Sequence, residues 1–298
     1  KKSVAFATAG AVGLARVRIA KAGVPLDYGS AKGNAEVTAA SKDLARLCAS
    51  GGSGTRPFAP CLVELGRARL LLGDATGAVD SLRRGVELLE GEPEAHSQLG
   101  VALLATGHAA DAVKELARAA ELDPGSAARH GNFGTALMMA GRTAEAVSEY
   151  EARARIDDGD ARAHSDLGTA LLGTQDLERA VSELQRAVAL APDRAAFHSN
   201  LGYAEQQMGH VDRAVAQYRE AIRLDPRLAS AWINLATALA RQPAGRAEAR
   251  AALERARALS PDDPRVSANI EELDAIERGV GGNKNGGSGA STGADAGR

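Results

Sequence analysis

An all-α solenoid built from about six stacked helical hairpins is the fold this sequence predicts, and three observations predict it. His96, His130, His164 and His198 each lie 34 residues from the next. Around them one text recurs: AHSQLGVALLATG, RHGNFGTALMMAG, AHSDLGTALLGTQ and FHSNLGYAEQQMG. A fixed period of this size marks supersecondary units that cannot bury their apolar faces alone and must stack. Composition agrees: Ala, Leu, Arg and Glu are abundant and aromatics make up only 3%, which suits helices and leaves no convincing strand.

With Ala59 as position 1 of the repeat, each column has a physical task. Position 7 is Leu65, Leu99, Phe133, Leu167, Leu201 and Leu235, and position 24 is Leu82, Leu116, Tyr150, Leu184, Tyr218 and Leu253. These fill the layer between the two helices of a hairpin. Position 8 (Gly66, Gly100, Gly134, Gly168, Gly202, Ala236) and position 20 (Ala78, Ala112, Ala146, Ala180, Ala214 and, after one inserted residue, Ala249) are small. Small side chains there let the helices approach closely. Gly73, Gly107, Gly141 and Gly209, near position 15, end the first helix, because glycine adopts positive φ without a Cβ clash. Pro124, Pro192, Pro226 and Pro261 at position 32 stop the second helix; Glu90 and Asp158 stand there in the two imperfect units.

These columns resemble the tetratricopeptide repeat family from Ala59 to Asp263. The resemblance implies a right-handed α-solenoid with repeats at 59–92, 93–126, 127–160, 161–194, 195–228 and 229–263. The departures are local. Pro243 and one extra residue fall in the last inter-helix turn. Arg69 and Glu205 replace an apolar residue at position 11, and Arg153 replaces alanine at position 27; looser packing or salt bridges are expected at all three. Segment 264–278 reads as the solvated capping helix that terminal repeats need.

The flanks read differently. Residues 1–34 form a basic leader, with no acidic residue before Asp27 and a short, weakly apolar stretch after Lys1 and Lys2. Such a segment is either a partial secretory signal or anchor, or a plain, poorly ordered leader. Residues 35–58 read as a cap helix followed by a glycine-rich linker. Residues 279–298 hold too little apolar surface to fold. Cys48 and Cys61 lie at this N-terminal edge. In an exported protein they are a candidate disulfide that staples the cap helix to the array; in a cytosolic one they are two thiols. A cytoplasmic location is favoured over an exported or periplasmic one, and membrane association is expected only through the leader.

The net charge of −2 and the absence of a Lys/Arg stripe give no reason to expect nucleic acid. No phosphate-binding loop follows a strand, and no nucleophile–base pair stands out. Neither enzyme activity, a cofactor nor a metal is expected. The histidine column recurs once per unit, about one helix diameter apart, which is too far for neighbours to share a zinc ion. Trp232 and Leu62 occupy the same column, so position 4 reads as a packing site with an apolar body and a polar tip.

Position 6 carries the functional expectation. It is Glu64, Gln98, Asn132, Asp166, Asn200 and Asn234, all amides or carboxylates between apolar columns. In the family this column turns to the inner surface. The HSNLG and WINLA units are similar to those of the O-GlcNAc-transferase type of superhelix. That resemblance implies an amide ladder on the backbone of an extended peptide; the alternative is a surface kept merely wet. Thr135, Thr169, Tyr203 and Thr237 at position 9 would complete a polar peptide-binding row with Gln98, Asn132, Asp166, Asn200 and Asn234. The function expected is a protein-binding scaffold. An exported or tethered envelope-assembly factor, or a non-catalytic subunit of a transferase or secretion complex, stands beside it.

Overall fold

The structure, a computed structural model, describes Val12, Gly13, Ala15, residues 31–49 and residues 59–279. Most of the leader, the glycine-rich connector at 50–58 and the tail at 280–298 lie outside the described residues. No strand occurs among the described residues, and no helix there is long and apolar enough to cross a membrane. The fold is an α-solenoid of helical hairpins. It divides into two units, Lys1–Gln175 and Asp176–Arg298.

The first unit opens with helix Ala31–Ala49. Its buried face, Val37, Ala40, Leu44 and Cys48, covers Leu62, Leu65 and Ala68 of the first repeat, and Val12 and Ala15 join the same cluster. Three complete hairpins follow: Ala59–Leu71 with Ala75–Leu88, Pro93–Ala105 with Ala109–Leu122, and Ala127–Met139 with Thr143–Ile156. The first helix of the fourth repeat, Ala161–Gly173, ends the unit. The second unit begins with that repeat's second helix, Leu177–Leu190. It continues with the hairpins Ala195–Gln207 with Val211–Leu224 and Ala229–Ala240 with Arg246–Leu259, and closes with helix Pro264–Glu277.

The first five repeats turn by the same device. Gly73, Gly107, Gly141 and Gly209 sit at φ between 74° and 81°, the left-handed region that side chains with a Cβ enter only at a cost. In the fourth repeat Gln175 holds that conformation, at φ 63°. In the sixth repeat the extra residue and Pro243 are absorbed as a short 3-10 turn, Pro243–Gly245, before the second helix starts.

The small columns work as close contacts. A Cβ on Gly134 would stand 2.8 Å from the Tyr150 ring, and one on Gly202 would stand 2.7 Å from the Tyr218 ring. Ala78, Ala112, Ala146, Ala180, Ala214 and Ala249 are fully buried. The glycine or alanine of one helix therefore receives the large residue of the other.

The histidine column ties the hairpins to the turns between them. Nε2 of His96, His130, His164 and His198 lies 3.0 Å from the carbonyl oxygen of Glu90, Pro124, Asp158 and Pro192 respectively. Trp232 Nε1–H donates to the Pro226 carbonyl at the same 3.0 Å. A carbonyl only accepts, so every ring donates there. The second ring nitrogen meets position 23 on the partner helix: Nδ1 of His96 is 2.7 Å from Glu115, that of His130 is 2.7 Å from Glu149, and that of His198 is 2.8 Å from Gln217. Where Trp232 has no second nitrogen, position 23 is Ala252.

Candidate functional site

The first helices of the repeats carry both polar columns, and the four-residue face they share with the core fixes their outlook. Positions 4, 7, 8 and 11 are drawn inward by packing. Position 9, two residues beyond 7, is thereby left outward: Thr135, Thr169, Tyr203 and Thr237 are all exposed. Position 6 lies at the border, and Gln98, Asn132, Asp166, Asn200 and Asn234 are half-buried. The exception is Glu64, which is buried.

The five half-buried members of position 6 are in different states. Gln98 Nε2–H donates to Glu94, one turn earlier, at 2.8 Å. Asp166 is engaged by an arginine from the preceding repeat. Arg153 NH1 donates to Asp166 Oδ2 at 2.6 Å, and its NH2 donates to Asp160 Oδ2 at 2.6 Å. Arg162 adds a charge 3.7 Å from Asp166. The amides of Asn132 and Asn234 have no hydrogen-bond partner among the described residues.

Arg153 reaches Asp166 because Gly131 lets it through. Position 5 is Ser97, Ser165 and Ser199 in the neighbouring repeats, all buried. A Cβ on Gly131 would stand 3.0 Å from Arg153 Cδ. The unusual arginine, the unusual glycine and the unusual carboxylate are thus one local arrangement. Its electrostatics are divided. Burial pushes the Asp166 carboxyl up, by more than Arg153 and Arg162 pull it down. Burial also pushes Asp160 up, but there the Arg153 guanidinium and the backbone N–H of Arg162 outweigh it and hold the carboxyl below its usual range. Asp160 also caps its helix, accepting from Arg162 N–H at 2.9 Å.

The position 9 residues are anchored differently. Thr135, Thr169 and Thr237 each donate to the carbonyl one turn earlier, that of Gly131, Ser165 and Ile233, at 2.8–2.9 Å. Thr135 Oγ1 is also 3.1 Å from the Tyr150 hydroxyl. Tyr203 keeps 44% of its surface exposed, a large fraction for its size. Beneath it Tyr218 is buried and donates to Gln206 Oε1 at 2.8 Å. Burial, with the nearby Tyr203, pushes the Tyr218 phenol well above its ordinary range.

The two position 11 departures are polar anchors. Arg69 donates to the Gly77 carbonyl at 2.7 Å and to Ser81 Oγ at 2.6 Å. Glu205, buried, meets His210 Nδ1 at 2.7 Å. Cys48 and Cys61 are joined as a disulfide with Cα atoms 5.8 Å apart. Among the described residues no group of three or more His, Cys, Asp or Glu side chains is placed to hold a metal ion.

Two family models described as tetratricopeptide repeat match this array, one over residues 199–264 and the other over residues 137–201. Residues 137–264 are tetratricopeptide repeats. A further model, described as a bacterial transcriptional activator domain, matches residues 71–157, from the second helix of the first hairpin through the third hairpin. No curated protein matches the chain. Solved structures of similar fold include Cut9–Hcn1 of the APC/C, with TM-score 0.65 and 17% identity over 80% of this chain and 46% of that one. The MamA fragment from Desulfovibrio magneticus RS-1 aligns with TM-score 0.54 and 24% identity, over 57% of this chain and 96% of that one. YrrB, titled a TPR protein with an unusual peptide-binding site, aligns with TM-score 0.50 and 21% identity, over 65% and 99%. At these identities the likeness is one of fold.

Proposed function

We propose that this chain is a non-catalytic scaffold that holds extended segments of other proteins against the first helices of its repeats. The observation that carries the reading is the pair of open amides. Asn132 and Asn234 stand half-buried on a recurring column and meet no partner among the described residues. A carboxamide offers a donor and an acceptor together, so it can pair with a peptide group whatever the side chain beside it. The exposed hydroxyls of position 9 extend the same neutral, polar lining. Such a surface gains affinity from many main-chain hydrogen bonds and specificity from a few side-chain contacts. YrrB, which shares the fold, is described as peptide-binding, and this supports the reading by analogy only.

The test is affinity capture from native lysate, with the chain as bait and mass spectrometry as readout. Combined Asn132→Ala, Asn200→Ala and Asn234→Ala should remove the partners that the unaltered chain retains, at unchanged helicity. Recovery of the same proteins by the triple variant would sink the reading.

The Cys48–Cys61 bond favours a second reading on location. A bonded pair is stable in an oxidising compartment, so the scaffold would act in the cell envelope or outside the cell. Two reactive thiols per chain in protein taken from the soluble cytosolic fraction would exclude it.

A further inference from the structure

A pocket of about 500 Å³ opens in the second unit, between the ends of helices Ala195–Gln207 and Ala229–Ala240 and the C-terminal helix Pro264–Glu277. Its size lies within the ~300–1,000 Å³ of ligand sites. Its base is apolar, with Ala236, Val211 and Leu253. Its walls are polar and come from both sides. Gln207 and Gln242 contribute amides with no hydrogen-bond partner among the described residues. Asn269, on the C-terminal helix, donates to Thr237 Oγ1 at 3.0 Å, which leaves its amide oxygen as an acceptor. Arg241 and Glu272 face each other at 4.0 Å across the opening, so the one cation and the one anion offset each other.

We propose that this pocket is a subsite for an uncharged, amide-rich stretch of polypeptide, and that the C-terminal helix is one of its recognition walls. The proposal rests on the peptide-holding reading above and adds to it a location and a ligand chemistry. Three observations select that chemistry. The open groups are carboxamides, which pair with peptide groups and with Asn or Gln side chains through both donor and acceptor. The charged pair is already matched, so a charged ligand would leave one of its members unpaired. The apolar base of Ala236, Val211 and Leu253 offers no group with which a charged side chain could pair. The C-terminal helix keeps its own anchor meanwhile: Val266 and Leu273 are buried against the last repeat, and Asn269 and Glu272 lie on its outer turns.

The test is fluorescence polarisation with labelled, end-blocked peptides of about ten residues, added to the full chain. One peptide contains only Asn, Gln, Ser and Gly. Its relatives carry Lys, Glu or Leu at alternate positions. The neutral peptide should bind and the other three should bind more weakly. Gln207→Leu and Asn269→Leu together should weaken the neutral peptide by about tenfold, the worth of two modest hydrogen bonds. Both replaced residues are polar and lie away from the core, and an unchanged melting midpoint shows that the variant is folded. Lys114→Ala, on an exposed second helix of the other unit and outside both polar columns, should leave that affinity unchanged. Equal binding of the charged or leucine peptides, an unchanged constant in the double variant, or no binding of the neutral peptide would each overturn the proposal. Loss of neutral-peptide binding on Asn132→Ala and Asn234→Ala, with Gln207→Leu and Asn269→Leu silent, would leave the peptide-holding scaffold standing and remove only this subsite.

Discussion

The Arg153 cluster allows the packing logic to be tested by a change of sign. Arg153 makes two charge-assisted hydrogen bonds of 2.6 Å, and only 14% of its side chain is exposed, against 31% for Asp160 and 29% for Asp166. Each such bond is worth ~1.5–3 kcal/mol when well buried, and the partial exposure of both acids reduces this by screening. Arg153→Ala should therefore cost about 2–3 kcal/mol in total. Adding Asp166→Asn, which restores the residue of Asn132, Asn200 and Asn234, removes one stranded charge and should recover about half of that loss. The sharper element is Gly131→Ser. With Arg153 present, the new Cβ stands 3.0 Å from Arg153 Cδ and the change should destabilise by ~1 kcal/mol or more. With Arg153→Ala the space is free, and the better helix propensity of serine should make the same change stabilising by about 0.5 kcal/mol. The pH dependence has a definite direction. Burial raises the Asp166 carboxyl, so above its raised pKa it is ionised and the loss of Arg153 is felt in full. As pH falls through that value Asp166 becomes neutral, and the penalty of Arg153→Ala shrinks. Urea unfolding followed by circular dichroism, at neutral and mildly acidic pH, reads all four variants. Gly131→Ser having the same sign in both backgrounds would refute the account of why that glycine is there.

In the second to sixth repeats position 4 supplies a ring N–H to the turn before it, and position 23 follows from that ring. His130→Phe leaves the Pro124 carbonyl and Glu149 unmatched and should cost ~1–3 kcal/mol, whereas His130→Trp with Glu149→Ala copies the Trp232–Ala252 pair and should cost less than half as much by the same unfolding assay; equal losses would discard the idea. Replacing Cys48 and Cys61 together by Ala opens a loop of sequence separation 13 and should cost about 3 kcal/mol. Limited proteolysis should then cut at Lys42 or Arg46 well before the repeats, and equal cleavage rates in the bonded protein and the variant would show that the bond does not hold the first helix.

The helical hairpins were legible because every unit solves one packing problem with the same few residue types. A fully buried alanine at position 20 and a close glycine at position 8 leave little freedom, so the period of 34 is written in the text itself. Where a unit departs from the pattern, the sequence marks the place but not the outcome. Arg69, Arg153 and Glu205 are visible as polar residues in apolar columns. That Arg153 would cross to Asp166 in the next repeat, while Glu205 would turn to His210 beyond its own helix, depends on which neighbour has left room. Gly131 was the available signal for the first. It breaks the serine of position 5 in the same unit in which Arg153 breaks the alanine of position 27.

The candidate site was legible as a column and illegible as a surface. Spacing alone places Gln98, Asn132, Asp166, Asn200 and Asn234 in equivalent positions, but equivalence of position is not equivalence of state. Local partners decide that: Glu94 lies one turn from Gln98, and Arg153 lies across from Asp166, whereas nothing comparable faces Asn132 or Asn234. A side chain held by its own protein must break that contact before it can hold a ligand, and the net gain falls by the worth of the broken bond. The open amides therefore carry more of any binding energy than the engaged ones, although the sequence writes them alike. The C-terminal helix obeys the same rule. Its polar face reads in sequence only as a solvated cap, yet packing brings Asn269 to Thr237 and sets both beside two amides that their own chain leaves open.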